Sequence, residues 1–564
     1  MDSRLASYVS GTSDAPLRYQ TIGDALTETA ARFGDREALV VRHQDVRMTW
    51  AEFDAAVTEL AAGFLSLGLE PGDRVGLWSP NNAEWVLTQL ATARAGLVLV
   101  CVNPAYRISE LEFALNKVDC RALVLAERLK TSDYVAMLRE LAPELAEAEP
   151  GALAAARLPG LRWAITLGET AHAGCLRFED LRGRATDADR ARLAEVIPTL
   201  QADDAINIQF TSGTTGAPKG ATLTHFNILN NGRFVAATQR FTEADRLCIP
   251  VPLYHCFGMV MGVLGCLTHG AAMIFPDEAF EPRSVLETVA AERCTALYGV
   301  PTMFIAELAL PDFAEHDLST LRTGVMAGAP CPVEVMKRVQ AEMNMTEVTI
   351  CYGMTETSPV SFQSQVDDPL DKRTATVGRI HPHVQVKIVD EAGRVVPRGE
   401  RGELCTRGYC VMLGYWDDAE RTAESIDTAG WMHTGDLATM DADGYVNIVG
   451  RVKDMIIRGG ENIGPREIEE FLYRHEAIED VAVFGVPDDR FGEAVAAWIM
   501  VREGASLTED EVRAFCDGQI AHYKIPRHIK FVSEFPMTVT GKLQKFVMRD
   551  AFAAELGLAE ARTA

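Results

Sequence analysis

Short apolar runs alternate with amphipathic helical segments in the first part of the chain, and this alternation constrains the fold more than any other feature. Thr49 and Glu52 have the spacing of a capping box, which begins a helix. Apolar side chains then recur at steps of three and four, at Phe53, Ala56, Leu60, Phe64 and Leu67. Repeated strand–helix–strand units predict an α/β fold with mostly parallel sheets covered on both faces. Such sheets bind ligands at the carboxyl ends of their strands.

The same pattern predicts two units of different size. In the larger unit it places strands at 74–78, 96–102 and 122–126 and helices at 85–95 and 109–118. After a joint within 450–460, it predicts helices at 465–475 and 509–522 and strands at 480–485, 493–501 and 529–532. The second series is a small, self-contained α/β unit.

The charge balance argues against two classes of partner. The 564 residues include 54 Lys and Arg against 80 Asp and Glu, a net charge of −26. A nucleic-acid binder would carry a basic face, and a protein that docks on anionic lipid would carry a basic cluster. We therefore expect neither nucleic acid nor a lipid surface as partner. The net negative charge is still compatible with binding of phosphate ligands, because charges more than about 8 Å apart are screened at physiological salt.

The cysteines and the apolar segments indicate the compartment. The 12 cysteines are scattered and form no CxxC pair, and the first residues lack the apolar core of a secretory leader. Reduced thiols in a cytoplasm are the simplest interpretation. The longest uncharged apolar stretch, 256–267, contains three glycines and is shorter than the ~20 residues that span a bilayer. We therefore predict a cytoplasmic protein without an integral membrane segment.

Residues 210–220, Phe-Thr-Ser-Gly-Thr-Thr-Gly-Ala-Pro-Lys-Gly, form the most informative segment. It follows a predicted strand at 205–210. Its glycines let the backbone approach a ligand closely, its hydroxyls add donors, and successive amides can form an anion nest. Its lysine supplies a point charge for phosphate. The residues expected to bind phosphate are Thr211, Ser212, Gly213, Thr214, Thr215, Gly216 and Lys219.

Two alternatives apply to this loop. A Walker A loop would need a second glycine followed by Lys-Ser or Lys-Thr, whereas Pro218 stands five residues after Gly213. The spacing therefore does not fit. A connection that is rich in Gly, Ser and Thr but binds nothing is the other alternative.

The loop resembles the signature of the adenylate-forming superfamily, which contains acyl-CoA synthetases, peptide-synthetase adenylation domains and beetle luciferases. Later motifs recur in the family's order, so the resemblance covers nearly the whole chain. It implies an N-terminal AMP-binding (adenylation) domain at 1–450, a hinge at 451–456 and a smaller, mobile C-terminal α/β domain at 457–564. In the family the loop is mobile and grips the ATP phosphates.

Three further segments resemble the family's nucleotide motifs. In 350–358, Tyr352 would present a flat face to adenine, Thr355 a hydroxyl to the α-phosphate and Glu356 a carboxylate to Mg²⁺. Asp436, after a glycine turn, resembles the aspartate that binds both ribose hydroxyls. Arg451 would reach ribose or phosphate. Taken singly, each is an ordinary turn or surface residue.

The resemblance also assigns the residues of catalysis and of domain movement. His255 would lie where the acyl carboxylate meets the pantetheine channel, although a lone His beside aromatic residues is more often part of a core. Lys453 stands at the hinge position, and Gly460 would line the pantetheine tunnel. Lys542, in Thr-Gly-Lys, resembles the C-terminal catalytic lysine. The catalytic set implied is Lys542, His255, Thr355 and Glu356.

The acyl-pocket segments are expected to be apolar. The residues assigned to the pocket are Tyr254, Met259, Gly299, Gly328, Ala329 and Gly353. This composition disfavours amino acids and dicarboxylates, which would need a charged partner. The sequence most resembles the medium-chain acyl-CoA synthetase branch, and Met259 stands where some long-chain enzymes place a tryptophan. Aryl acids such as cinnamate or benzoate stay open.

The resemblance implies ATP-dependent activation of a carboxylic acid to an acyl-adenylate. Transfer to CoA would follow, giving acyl-CoA, AMP and pyrophosphate, with ATP, Mg²⁺ and CoA required. A ligase that loads a carrier protein is the first alternative. A non-catalytic nucleotide-binding relative and a luciferase-like monooxygenase are the others. The oligomeric state is left open, with a homodimer among the possibilities.

Overall fold

The fold is described by a computed structural model. It covers residues 5–211, 218–329, 331–451, 454–458, 461–488, 491–517, 519–520, 522–537 and 543–558.

The first large sheet contains the strand that leads into the phosphate loop. Its strands, in spatial order and within the described residues, are Cys175–Arg177, Trp163–Thr166, Ala122–Leu125, Arg74–Trp78, Val98–Cys101, Ala205–Thr211, Lys219–Thr224 and Gly414–Tyr415. The strands run parallel from Cys175–Arg177 to Ala205–Thr211, and the last two pair antiparallel.

The second large sheet is parallel across its middle. Its strands, again in spatial order within the described part, are Arg379–Ile380, Val360–Gln363, Glu347–Gly353, Thr323–Ala327, Ala296–Gly299, Arg246–Cys248, Ala272–Phe275, Glu37–Val41 and Val46–Thr49. The run from Glu347–Gly353 to Glu37–Val41 is parallel, and the outer strands pair antiparallel. The two sheets confirm the predicted parallel α/β architecture.

A third sheet is antiparallel throughout, which the alternation of helices and strands did not indicate. Its strands are Tyr8–Ser10, Val384–Val389, Gly402–Gly408, Met432–Met440 and Val446–Arg451. They pair antiparallel at each step. Its strands are joined partly by turns and partly by longer segments, one of which contains the helix Ala419–Ser425, so they do not follow the regular strand–helix–strand alternation that marks a parallel sheet.

The C-terminal unit has a sheet and an apolar core of its own. The sheet contains Glu461–Ile463, Ile456–Arg458, Gly492–Val501, Ile478–Asp488 and His528–Phe531. Ile468, Val483 and Ile499 are fully buried in its core. The Arg466 guanidinium donates a 2.6 Å hydrogen bond from Nη1 to the carbonyl of Ile448, which links this unit to the antiparallel sheet.

Helices cover both large sheets and the C-terminal sheet. In the described part of the larger unit the α-helices are Ile22–Phe33, Trp50–Ser66, Ala83–Arg94, Ile108–Lys117, Tyr134–Leu141, Phe178–Arg182, Asp187–Val196, His225–Thr238, Gly265–His269, Pro282–Ala291, Pro301–Leu308, Val333–Glu342, Leu370–Ala375 and Ala419–Ser425. Those of the C-terminal unit are Pro465–Leu472, Glu509–Cys516 and Lys545–Glu555. Single 3₁₀ turns span Arg42–Gln44, Pro143–Ala146, Ile197–Thr199, Phe313–Glu315, Thr355–Thr357 and His522–Lys524, and Phe257–Leu264 is π-helical. A small hairpin joins Arg128–Leu129 to Ser132–Asp133.

The predicted start and buried face of helix Trp50–Ser66 are confirmed. Thr49 and Glu52 form the predicted capping box of helix Trp50–Ser66. The helix buries Phe53, Leu60 and Phe64 completely, as the apolar spacing required. In the C-terminal unit, the two predicted helices end earlier than expected, at Leu472 and Cys516. Across the described ranges, the helices are all too short or too polar to cross a bilayer.

Candidate functional site

The strand Ala205–Thr211 carries a row of polar side chains on one face. Asn207, Gln209 and Thr211 stand at alternate positions, so they point to the same side of the strand. Asn207 and Gln209 are buried, whereas the neighbouring parallel strands are apolar. At the carboxyl end of the strand, Thr211 Oγ1 lies 3.3 Å from Glu356 Oε1 and donates to it. The strand thus delivers polar groups to the edge where ligands of parallel sheets bind.

Glu356 is the centre of the first cluster. It lies in the turn Thr355–Thr357 with only 6% of its surface exposed. Its Oε1 accepts a second hydrogen bond, of 2.9 Å, from the Tyr415 hydroxyl. Burial and the neighbouring Glu356 charge raise the pKa of Tyr415, so the phenol keeps the proton that it donates. The two donors fix the direction of the carboxylate.

Lys219 supplies positive charge beside this carboxylate. It begins the strand Lys219–Thr224, which pairs with the strand of Tyr415. Its Nζ lies 4.8 Å from the centre of the Tyr415 ring, within cation–π range. An ammonium group, a hydroxyl and a carboxylate are thus gathered around one strand end. This donor set fits a nucleotide phosphate with Mg²⁺, which takes one or two carboxylates together with phosphate oxygens.

Tyr352 and Asp436 form the second cluster. Tyr352 stands near the end of the strand Glu347–Gly353, and Asp436 lies on Met432–Met440 with 5% of its surface exposed. The Tyr352 hydroxyl donates a 2.5 Å hydrogen bond to Asp436 Oδ2. Asp436 also faces Arg451 in the register of the antiparallel sheet. The structure therefore brings together three residues that the sequence assigned to one nucleoside.

The turn before Asp436 is held by the neighbouring strand. Gly435, at a φ of +71° that favours glycine, donates from its amide to Glu403 Oε1 at 3.1 Å. The other Glu403 oxygen lies 3.0 Å from His433 Nδ1, which is itself 3.6 Å from Cys405 Sγ. Glu403, Cys405 and His433 thus contact one another and fix the loop that presents Asp436.

His255 lies two residues before the π-helical segment Phe257–Leu264. Its Nδ1 accepts a 3.2 Å hydrogen bond from the amide of Phe257, which fixes the ring. Tyr254, next to it, and Met259, one turn further, are buried. Short π-helical segments often occur at functional sites, because they redirect the side chains on one turn.

The remaining acyl-pocket candidates lie at one edge of the second sheet. Gly299 and Gly353 end two of its parallel strands, and Gly328 and Ala329 follow a third that lies between them. The glycine at 353 is required by backbone packing, because a Cβ there would stand 1.7 Å from the carbonyl oxygen of Pro359. At this position the lack of a side chain therefore admits the chain's own backbone rather than a ligand.

Several predicted residues lie outside the described part of the chain. They are Ser212, Gly213, Thr214, Thr215 and Gly216 of the phosphate loop, Lys453, Gly460 and Lys542. Of Arg451 the backbone is described.

Sequence analysis missed Tyr415, Gln209 and Cys256. Tyr415 reaches Glu356 from 59 positions away in the chain. Cys256 donates from Sγ to Gln209 Oε1 at 3.1 Å across 47 positions. Each residue stands in an apolar or aromatic segment that looks like ordinary core. Only the pairing of distant strands places these side chains at the site.

Comparison with known proteins covers both units. Residues 26–416 match the family described as AMP-binding enzyme, and residues 467–542 match the AMP-binding enzyme C-terminal domain. The putative acyl-CoA synthetase YngI of Bacillus subtilis is 49% identical over 95% of this chain and 98% of its own length. The mitochondrial medium-chain acyl-CoA ligase ACSF2 of Bos taurus is 46% identical over 98% of this chain and 91% of its own length.

A solved structure shares the whole architecture. The anthranilate CoA ligase AuaEII in complex with anthranoyl-AMP superimposes with a TM-score of 0.86 at 27% sequence identity. The match covers 97% of this chain and 99% of that one.

Proposed function

Because the chain belongs to the AMP-binding enzyme family, we propose that it is an AMP-forming acyl-CoA synthetase for medium-chain fatty acids. It activates a carboxylic acid with ATP and transfers the acyl group to CoA. The observation that carries this proposal is the Glu356 carboxylate, fixed by Thr211 and Tyr415 beside Lys219 at a strand end. Tyr352 and Asp436 supply the matching nucleoside site.

The first half-reaction needs charge neutralisation. A carboxylate is a poor electrophile because its leaving group would be oxide. Attack of the carboxylate oxygen on the α-phosphorus of ATP forms a mixed anhydride and releases pyrophosphate. Two anions must meet for this, so Lys219 and Lys542 are assigned to hold the phosphates and the carboxylate. Thr355 donates its hydroxyl to the α-phosphate.

Mg²⁺ fits the same cluster. Glu356 is the protein ligand that we assign to it, and the nucleotide supplies further oxygens. When bound, the ion neutralises phosphate charge and orients the chain of phosphates. Asp436 accepts hydrogen bonds from the ribose hydroxyls, and the Tyr352 ring packs against adenine.

The second half-reaction needs a different face of the C-terminal unit. The thiol of CoA attacks the carbonyl carbon, the C–O bond to AMP breaks, and AMP leaves. A lysine that covers the anhydride would obstruct this attack. We therefore assign 451–456, with Lys453, as the hinge between the domain 1–450 and the domain 457–564. Rotation at this hinge removes Lys542 and brings Gly460 to the pantetheine channel, near His255.

Substrate class rests on the pocket candidates and on the relatives. Tyr254 and Met259 are buried in apolar surroundings, and the pocket set contains no carboxylate or ammonium group. A relative at 46% identity is named a medium-chain acyl-CoA ligase. An alkyl chain of medium length is therefore the acyl group that we propose. Three points stay predictions from the sequence: a cytoplasmic location, a homodimer as one possibility, and a carrier protein as the alternative acceptor. The ACSF2 relatives are named as mitochondrial proteins.

A panel of acids tests the proposal. Purified protein is incubated with ATP, Mg²⁺ and straight-chain acids of four to sixteen carbons, cinnamate or benzoate, with and without CoA. We expect acyl-CoA and AMP, with the highest kcat/KM for acids of about eight to ten carbons. Highest activity on an aryl acid would contradict the chain assignment. Accumulation of acyl-adenylate with CoA present would contradict CoA as the acceptor.

A further inference from the structure

Gln209 is a buried amide in the middle of the polar row on strand Ala205–Thr211. Only 3% of its surface is exposed. Burying an amide in an apolar sheet is costly unless both of its polar ends are hydrogen-bonded. Thr211, one step further along the same face, reaches Glu356 of the nucleotide cluster. Gln209 instead reaches the segment assigned to the acyl chain.

Both ends of the Gln209 amide are used on that segment. Nε2 donates to Met259 Sδ at 2.9 Å, and Oε1 accepts from Cys256 Sγ at 3.1 Å. Cys256 and Met259 flank the start of the π-helical segment Phe257–Leu264, directly after His255. The amide therefore ties this segment to strand Ala205–Thr211.

Met259 needs such a restraint to hold one position. Its side chain has three rotatable bonds and a soft thioether, so it fills irregular space and repacks readily. Its Sδ lies 3.8 Å from Cys101 Sγ, a weak contact. The hydrogen bond from Gln209 selects one rotamer among those that the surrounding apolar side chains allow.

We propose that Gln209 is the positioning residue that sets the usable length of the acyl pocket. It holds Met259 across the floor of the pocket, so a longer acyl chain must displace the thioether and break the Gln209–Met259 bond. This inference rests on the proposed function, in which Met259 lines that pocket.

Chain-length preference tests the inference. Gln209→Leu keeps a similar volume and removes both hydrogen bonds. We expect the ratio of kcat/KM for dodecanoate to that for octanoate to rise about tenfold, which corresponds to the loss of one to two good hydrogen bonds. The KM for ATP should change by less than about twofold, because Thr211 and Glu356 keep their contacts.

A double-mutant cycle shows whether Gln209 acts through Met259. Met259→Ala should raise the same ratio, and Gln209→Leu combined with Met259→Ala should raise it no further than Met259→Ala alone. Met259→Leu removes the sulfur acceptor and keeps the volume, so it breaks the same bond from the other side. Met259→Leu should also raise the dodecanoate-to-octanoate ratio of kcat/KM. If Gln209→Leu does not fold, Met259→Leu replaces it in the test.

The matched control is Asn230→Leu. Asn230 is a buried amide that hydrogen-bonds the backbone of Arg18 and of Phe226. This variant should lower Tm and leave the chain-length ratio unchanged.

Three results would overturn the inference or its premise, and they are distinguishable. If Met259→Ala shifts the ratio and neither Gln209→Leu nor Met259→Leu does, Met259 lines the pocket but Gln209 does not position it. If Met259→Ala also leaves the ratio unchanged, Met259 is not part of the pocket and the inference fails while the wild-type activity stands. If the wild type forms no thioester from any acid, the proposed function itself fails.

Discussion

The hydroxyl of Tyr352 donates a 2.5 Å hydrogen bond to Oδ2 of Asp436, across 84 positions of the chain. Tyr352 lies one residue before the end of strand Glu347–Gly353 in the second large sheet, and Asp436 lies on the antiparallel sheet. The bond therefore joins two sheets at the proposed nucleoside site. It fixes the carboxylate that we assign to ribose relative to the ring that we assign to adenine.

Removal of this bond should weaken ATP binding. Tyr352→Phe keeps the ring but leaves Asp436 without its phenol donor, so the carboxylate is less well oriented for ribose. We expect the KM for ATP to rise at least about tenfold, since a hydrogen bond to a charged group contributes about 1.5–3 kcal/mol and about 1.4 kcal/mol is a factor of ten. The KM for the acid should change little. Steady-state kinetics with varied ATP measure both.

A second tyrosine–aspartate pair provides the control. The Tyr445 hydroxyl donates a 2.5 Å hydrogen bond to Asp368 Oδ1 outside the proposed site. Tyr445→Phe should lower Tm and leave the KM for ATP unchanged. An equal rise in both variants would mean that the effect is general destabilisation.

Tyr415 should control the adenylation rate through Glu356. Tyr415→Phe keeps the ring beside Lys219 and removes the 2.9 Å hydrogen bond to Glu356 Oε1. Within the described residues, the carboxylate then keeps the longer bond from Thr211. We expect kcat/KM for ATP to fall about tenfold, because one bond to a charged group is lost. Pyrophosphate release at several Mg²⁺ concentrations measures it, and an unchanged rate would show that Tyr415 does not orient Glu356.

Lys542 and Lys453 should separate the two half-reactions. Lys542→Ala should abolish adenylate formation and still transfer the acyl group from supplied acyl-adenylate to CoA. Lys453→Pro should restrict the hinge, spare adenylation and slow thioester formation. Each half-reaction is measured separately with purified acyl-adenylate. Equal loss of both half-reactions in either variant would contradict the division of labour.

Stability should fall with acidity through two buried histidines. Burial lowers the pKa of His225 to about 3, and burial likewise lowers the pKa of His381 to about 3. The unfolded chain binds their protons below pH ~6.5, whereas the folded chain does not until about pH 3. Stability is therefore lost as pH falls through this window, by up to about 1.4 kcal/mol per pH unit for each histidine.

Urea unfolding between pH 7.5 and 5 measures this dependence. His225 Nδ1 accepts a 3.1 Å hydrogen bond from the amide of Ile22. The variant His225→Gln keeps an acceptor for that amide. The variant should lose its share of the slope, about 1.4 kcal/mol per pH unit at the acid end. His522→Gln, at an exposed position, should keep the full slope. A wild-type slope in His225→Gln would contradict the assignment.

Local signals predicted the parallel part of the fold, and the resemblance to the family supplied the candidate nucleotide residues. The spacing of Thr49 and Glu52 predicted a capping box, and the two residues form it in the structure. The apolar run before the phosphate loop predicted a strand, and the structure has a strand there. The antiparallel sheet could not be predicted from helix–strand alternation, because its strands do not form a regular strand–helix–strand series. Its order depends on pairing between distant segments, such as Tyr8–Ser10 with Val384–Val389.

Side-chain contacts between distant segments could not be predicted either, because they too depend on how those segments pair. Nothing near Tyr415 indicates that its hydroxyl reaches Glu356, and nothing near Gln209 indicates that it holds Met259. The surroundings of Gly353 could not be predicted from the sequence either. This glycine was assigned to the acyl pocket from the sequence, whereas the backbone of Pro359 fills the space that a side chain at this position would occupy.

An isotope-transfer experiment tests the central claim most directly. Octanoate labelled with ¹⁸O in both carboxylate oxygens is converted with ATP, Mg²⁺ and CoA, and the products are weighed by mass spectrometry. If a carboxylate oxygen attacks the α-phosphorus and the thiol later displaces AMP, one ¹⁸O stays in AMP and the other stays in the thioester. Unlabelled AMP, or label in pyrophosphate or inorganic phosphate, would contradict an acyl-adenylate intermediate.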